Sequence, residues 1–402
     1  MEPVKGGLTT AKGFLAAGLH CGLKPDPEAL DLGLIYSERP AAVAAAFTTN
    51  RVHAAPVRIN RERVALGRAQ AIVVNSGNAN ACTGARGLED ARRMTQVVAQ
   101  HLRITEDDVL VASTGLIGEY LPMNKIEVGI AELTGALGRG PEADEAISRA
   151  ILTTDTRAKV AAANFEVEGK TATLAGIAKG AGMIAPNMAT MLCFLTTDAA
   201  IPAPELRDLL RLAVSSSFNR IAIDGHTSTN DSCICLANGA LGNDPVRPGS
   251  LAYLELRDAL AHVTWTLARK IVRDGEGVTK FVEVVVKGAV SEADAVKVAR
   301  SVADSPLVKT TLHGEDPNWG RITSAAGYCG AQVEEEKLSC WIGDVLVFEK
   351  GEPLPGVRER AHAQLTGTDV RLVLDLGLGT GQITVWTCDL SEEYVRFNAR
   401  YS

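Results

Sequence analysis

Lys179-Gly180-Ala181-Gly182-Met183-Ile184-Ala185-Pro186-Asn187-Met188-Ala189-Thr190-Met191-Leu192-Cys193-Phe194 is the stretch on which the fold turns. A glycine-rich loop led by a lysine runs to Ala189-Thr190, and an apolar strand begins at once. A threonine at a strand start is ordinary, because β-branched side chains pack well there. Its chemistry allows more. A threonine hydroxyl is a weak nucleophile and needs a base. If the chain is cut just before Thr190, the freed α-amine, with a pKa of roughly 7.7–8, can serve as that base. The same hydroxyl is able to make the cut by attacking the Ala189 carbonyl in an N-to-O acyl shift. Composition alone does not single out Thr190 among the other threonines.

Around this stretch the apolar pattern predicts strands near Ala71–Asn75, Val109–Ser113 and Met191–Thr196. Asn164–Glu168 and Thr171–Ala175, separated by Gly169-Lys170, read as a hairpin. Phe281–Val286, Leu338–Ile342 with Val345–Glu349, and Arg371–Leu376 with Gln382–Thr387 read as further strands. Helical spacing marks Leu88–Leu102, Glu205–Val214, Leu251–Val272 and Glu292–Val302, with Pro204 fitting a first turn. Strands that come as hairpins between helices imply an α+β chain with a mixed, largely antiparallel sheet. Gly377-Leu378-Gly379-Thr380-Gly381 resembles a phosphate loop, but a strand follows it where that chemistry needs a helix. A hairpin between the two flanking strands is the expected structure. Gly138–Pro141 and Asn243–Gly249 read as surface loops or linkers.

The 402 residues carry a net charge of −7 and are 46% hydrophobic. That length suggests two or three core-forming units, with one large unit as the alternative, and the apolar content excludes a disordered chain. The acidic balance and the lack of a Lys/Arg block argue against nucleic acid. No run of about 18 uncharged apolar residues predicts a membrane span. The N-terminus lacks the apolar core of a signal peptide. The eight cysteines form no C-x-x-C, and Cys233-Ile234-Cys235 reads as buried hydrophobes on one strand face. A reducing cytoplasm is the expected setting. The seven histidines show no H-E-x-x-H or other metal-binding spacing, and no G-x-S-x-G elbow occurs.

Four segments are dense in Gly, Asn, Ser, Thr and Asp yet bounded by apolar runs: Asn75–Gly84, Ser113–Gly115, Asp224–Asp231 and His313–Arg321. Each alone is turn chemistry. Together they point to a site assembled from loops on a rigid scaffold.

The segment from Lys179 to Leu192 closely resembles the self-cleavage motif of the ornithine acetyltransferase (glutamate N-acetyltransferase) family of arginine biosynthesis. The likeness extends in order through Lys12-Gly13-Phe14, Phe47-Thr48-Thr49-Asn50-Arg51, Asn75–Gly84, Ser113-Thr114-Gly115, Thr153-Thr154-Asp155-Thr156, Ser217-Phe218-Asn219, Asp224–Asp231, Asp274-Gly275-Glu276-Gly277 and Asp316–Arg321. It implies a layered sandwich like that of the N-terminal-nucleophile proteins, with mixed sheets, helices and a smaller C-terminal lobe. It implies cleavage between Ala189 and Thr190, giving an α part of 1–189 and a β part of 190–402 that includes that lobe. The parts would stay together as a heterotetramer of two α and two β chains.

The reaction so implied is ping-pong acetyl transfer from N-acetylornithine to glutamate through an acetyl-Thr190, with Thr114 and Gly115 as oxyanion donors. Acetyl-CoA stands open as a second donor. The resemblance assigns substrate contacts to Thr153, Lys179, Thr190, Glu276, Asn398 and Ser402. Lys179 would take a carboxylate and Glu276 the side-chain ammonium. Read without the resemblance, Lys179 is a loop lysine and Glu276 a charge at a helix end after Arg273. Neither a metal nor an organic cofactor is implied. Changes at Thr114 or Gly115 are expected to slow transfer and processing while leaving folding largely intact. The rival reading is a related self-processed amidase or aminopeptidase.

Overall fold

The computed structural model describes residues 1–184 and 191–400. Ala189, Thr190 and Ser402, the cleavage pair and the last tail residue singled out above, lie outside the described residues. The chain divides into two compact units. The first comprises Met1–Asn219 and His226–Ile271, the second Arg220–Gly225 and Val272–Ser402.

The first unit is built on a nine-stranded sheet. Its strands are β1 (Glu2–Val4), β2 (Phe14–Leu19), β3 (Leu32–Phe47), β4 (Arg68–Asn78), β5 (Val109–Leu116), β6 (Lys159–Val167), β7 (Lys170–Lys179), β8 (Leu192–Thr197) and β9 (Ser232–Ala237). The order is β1-β6-β7-β8-β9-β3-β4-β5, with β2 also paired to β3. The 16-residue β3 serves two partners: Leu32–Tyr36 pairs with β2 and β4, and Ala42–Phe47 with β9. Its register against β4 shifts between Tyr36 and Ala41, where Pro40 cannot donate to a ladder.

Alternation along the strands sorts the side chains. Ile72, Val74, Leu110 and Ala112 share one core with Ile177, Phe194, Ile234 and Leu236, so both arms of the sheet face a common interior. Ala71, Val73, Val109 and Val111 point the other way, onto Met94 and Val98 of helix Gly84–Leu102 and Ile126 and Ile130 of helix Met123–Gly135. The layering expected of the α+β class thus arises within one unit, helix on sheet on shared core.

The second unit holds β10 (Phe281–Ala289), β11 (Ser339–Ile342), β12 (Val345–Glu349), β13 (Glu352–Pro353), β14 (Asp369–Asp375) and β15 (Gly381–Cys388), in the order β13-β12-β11-β14-β10-β15. Two expectations are corrected here. Gly377–Gly381 is not a hairpin, because β10 lies between β14 and β15. The segment instead crosses the end of β10, with the Leu378 and Gly379 N–H groups donating to the Gly288 carbonyl. The β6–β7 turn falls one residue early, at Glu168-Gly169, since Val167 pairs with Lys170. Both turn residues take positive φ, +54° and +74°, as a two-residue hairpin requires.

Candidate active site

Parallel pairing of β4 with β5 sets Asn75 beside Ser113, Ser76 beside Thr114 and Gly77 beside Gly115. The Ser113 hydroxyl donates to Asn75 Oδ1 at 2.6 Å, and Asn75 Nδ2 donates to the Asn78 carbonyl at 2.8 Å. These bonds turn the ends of both strands into one rigid edge. Gly115 adopts φ +133°, and a Cβ there would stand 2.2 Å from the Gly77 carbonyl carbon. The glycine is therefore required by the fold, and the expectation that Gly115 substitutions spare folding is corrected.

Lys179 ends β7 and is 5% exposed. Its Nζ stands 3.4 Å from Thr114 Oγ1. An ammonium only donates, so the Thr114 oxygen accepts and its own hydrogen is left for another acceptor. Next to this pair lies Asp155, whose side chain is fully buried. It accepts from Lys159 Nζ at 2.5 Å and from the backbone N–H groups of Gly180 at 2.7 Å and Thr153 at 3.2 Å. Thr153 is thereby tied to the loop that leaves Lys179. Burial pushes the Asp155 carboxyl up, but the charges of Lys179 and Lys159 and these hydrogen bonds outweigh it and hold the group below the usual range. Lys24 Nζ donates to the carbonyls of Leu30 and Leu152, at 2.6 and 2.7 Å. Burial lowers its pKa to about 8, Lys179 acting the same way against Asp31 and Asp155.

The loop before β9 closes the group. Asn230 Nδ2 donates to the carbonyls of Ala79 and Ser113, both at 2.6 Å, and so ties two of the polar segments to a third. Asp231 is 2% exposed, and its Oδ1 accepts the Met191 N–H at 2.9 Å. Burial pushes its carboxyl well above the usual range, against the Met191 N–H and the charge of Lys179. Lys179 thus puts a buried ammonium beside the Thr114 hydroxyl, and a cation next to a hydroxyl donor suits an anionic ligand.

In the second unit Asn398 Nδ2 donates to Glu276 Oε2 at 2.8 Å. Burial and the charges of Asp224 and Glu276 raise the Tyr394 phenol beside them. His313–Arg321 also belongs to this unit, where His313 bonds Asp389 and Asp316 pairs with Arg358. Of the four polar segments, three share hydrogen bonds in the first unit: Asn75–Gly84, Ser113–Gly115 and the end of Asp224–Asp231. Cys233 and Cys235 are buried on β9, and burial raises the Cys235 thiol far from reactivity.

Lys24, Asp155 and Lys159 were not among the expected site residues, and Asn230 and Asp231 were expected only as part of the polar segment Asp224–Asp231, with no role of their own. The available signal was charge flanked by apolar residues, as in Leu23-Lys24 and Lys159-Val160. Among the described residues no cluster of His, Cys, Asp or Glu fits a metal ion, and no helix is long and apolar enough to cross a membrane.

Comparison with known proteins adds the following. A model of the ArgJ family matches residues 15–402. The arginine biosynthesis bifunctional protein ArgJ of Symbiobacterium thermophilum is 47% identical over 402 residues, all of both chains. That of Geobacter sulfurreducens is 49% identical over 97% of this chain and 99% of its own. Among solved structures, the ornithine acetyltransferase of Mycobacterium tuberculosis complexed with ornithine is 38% identical, with a TM-score of 0.43, over 46% of this chain and 96% of that one.

Proposed function

The chain belongs to the ArgJ family, and we propose that it moves the acetyl group of N-acetylornithine to glutamate in arginine biosynthesis, through an acetyl ester on Thr190. Thr190 arises at a chain terminus when the precursor cuts itself after Ala189. The α part is then 1–189 and the β part 190–402, assembled as two of each. Acetyl-CoA is a further acetyl donor to test on the same site.

The observation that carries this reading is the contact of Lys179 Nζ with Thr114 Oγ1, at the end of a strand locked by Gly115. It leaves a hydroxyl hydrogen available to a developing oxyanion, beside the buried Lys179 ammonium. Thr190 Oγ attacks the acetyl carbonyl, its proton passing to the Thr190 α-nitrogen. Thr114 and Gly115 donate to the tetrahedral oxyanion. Collapse breaks the C–N bond, and ornithine leaves with the proton. Glutamate's amine then attacks the ester, and the steps run in reverse. Each donor of this kind supports about 2.7–4 kcal/mol of transition-state stabilisation. Lys179 takes a substrate carboxylate, helped by Thr153. Glu276 takes the ornithine side-chain ammonium, with Asn398 and Ser402 as companions.

The test combines intact mass and terminal sequencing with turnover. Two polypeptides, the second beginning at Thr190, and a Thr190→Ala variant that stays whole and inactive are expected. Ornithine should be released from N-acetylornithine in quantity only when glutamate is present. Equal release without glutamate would make the protein an amidase.

A further inference from the structure

Lys24 takes no step in the reaction, yet its ammonium is not consumed by any ion pair. Residues 21–24 wrap a carboxylate: Asp31 is fully buried and accepts the N–H groups of Cys21, Leu23 and Lys24 at 2.7, 2.8 and 3.0 Å. His20 Nδ1 stands 3.1 Å from the same carboxylate. The Asp31 charge is thus met by its own loop, and no carboxylate among the described residues pairs with Lys24 Nζ. That nitrogen gives hydrogens to the Leu30 and Leu152 carbonyls, at 2.6 and 2.7 Å. An ammonium has three hydrogens, so one is left over.

Both ends of this side chain lie against parts of the site. Its Cγ would stand 3.4 Å from a Cβ at Gly77, the residue beside Gly115 where β4 and β5 pair. Its Nζ holds the carbonyl of Leu152, the residue before Thr153. Asp155 in turn links the Thr153 N–H to that of Gly180, next to Lys179. Lys159 is built otherwise, with its side chain fully buried against Asp155, whereas Lys24 is only half-buried. The two substrates differ in charge at the end away from the reacting nitrogen. N-acetylornithine has an ammonium there, and glutamate a second carboxylate. Lys179 answers the carboxylate that both share. Glu276 has the sign for the ammonium and the wrong sign for the second carboxylate. We infer that Lys24 is the acceptor-specificity residue, its third hydrogen taking the side-chain carboxylate of glutamate. This rests on the reading of the protein as an acetyltransferase to glutamate.

The charge has a pH window. Burial lowers the Lys24 pKa to about 8, so at about pH 7 the group is still mostly charged. Asp31 and Asp155 favour its charged form, and Lys179 opposes it. A carboxylate arriving at Nζ adds the counter-ion that the loop does not supply. Glutamate binding is therefore strongest below this pKa and weakens as pH rises through it. N-acetylornithine, without a second carboxylate, makes no use of this charge.

Two reactions of the same acetyl-enzyme separate the acceptors: transfer to glutamate, and exchange of isotopically labelled ornithine into N-acetylornithine. Lys24→Met keeps the length of the stem and removes the ammonium. The brace on Leu152 is lost to both reactions alike, so the difference between them reads the charge. kcat/KM for glutamate should fall about tenfold or more beyond the fall for ornithine, the size expected of a charge-assisted hydrogen bond. Equal falls, or none, overturn the inference and leave Lys24 a brace of the 152–155 loop. Where Lys24→Met fails to fold, Lys24→Arg decides. A guanidinium stays charged at every working pH. The native KM for glutamate should rise between about pH 7 and 9, and that rise should be absent from Lys24→Arg. The same rise in both proteins, or none in the native enzyme, overturns the inference. A native enzyme that exchanges ornithine but gives no acetyl group to glutamate would instead overturn the transferase reading, which separates the two failures.

Discussion

Thr114 combines two roles in one side chain, an oxygen that accepts from Lys179 and a hydrogen left to give away. Thr114→Ala should lower kcat by about 10²–10³ with little change in melting temperature, whereas Thr114→Ser should keep most of the activity. Equal losses in both variants would show that the hydroxyl is not the donor. Gly115→Ala should behave differently. Its Cβ would strike the Gly77 backbone in a conformation that L side chains avoid, a cost of roughly 3 kcal/mol or more from strain and overpacking together. Thermal denaturation of the soluble variant measures this, and a native-like melting temperature would contradict the geometry. Both residues were legible through the family resemblance. Lys24 was not, and Asp155 entered only inside the resembling segment Thr153–Thr156 with no role assigned, because a charge beside Leu23 or after Thr154 reads as surface until the fold buries it. What removes them from water is the meeting of residues 24, 152–155 and 179 from three separate segments.

Two elements hold the site by bonds that local sequence does not announce. The loop before β9 uses Asn230 as a double donor between Ala79 and Ser113. Asn230→Asp puts an acceptor against two carbonyls, and should cost about 2–4 kcal/mol, the range for unpaired buried groups. It should also lower activity, because the Ser113–Gly115 edge loses its brace. Asp155 joins the 153–155 loop to β6 and to Gly180, and breaking such a buried pair costs about 3–5 kcal/mol. Its folded-state pKa is depressed, so its contribution is fully present above the ordinary carboxylate pKa of about 3.9 and is lost as pH falls through the lower folded value. Asp155→Asn should be less stable at neutral pH and show a flatter stability–pH curve below about pH 4, read by denaturant titration. Strands rich in valine, such as β4 and β10, were plain in the sequence. The alanine-rich second half of β3 was not, since alanine has little strand preference and the segment is held by pairing on its edges. Helix Met123–Gly135 was hidden by Gly129, which the fold needs because a Cβ there would meet Cys21 and Leu32 at 2.8 Å. The crossing after β14 was misread for a related reason: residue pattern identifies a strand but not the neighbour it chooses.

At the scale of the molecule, the strand order has a consequence for a chain that is cut. β8 and β9 follow the proposed cleavage point, yet they lie between β7 and β3, which precede it. β7 pairs with β8 from Leu174 to Lys179, and β9 pairs with β3 from Ala42 to Phe47. The shared core draws Ile177 and Ile35 from one side of the cut and Phe194, Ile234 and Leu236 from the other. Each fully buried side chain of this size contributes about 1.5–3 kcal/mol, so separating the parts would expose the centre of the sheet and its core together. The cut removes one covalent bond and none of these contacts. The two parts of the processed protein should therefore elute as one species in native gel filtration, and come apart only in the urea range where the sheet itself unfolds. The check is a denaturant series following fragment release by size and sheet content by circular dichroism. Coincident transitions are expected, and release of either part while the sheet signal remains intact would refute the interleaved association.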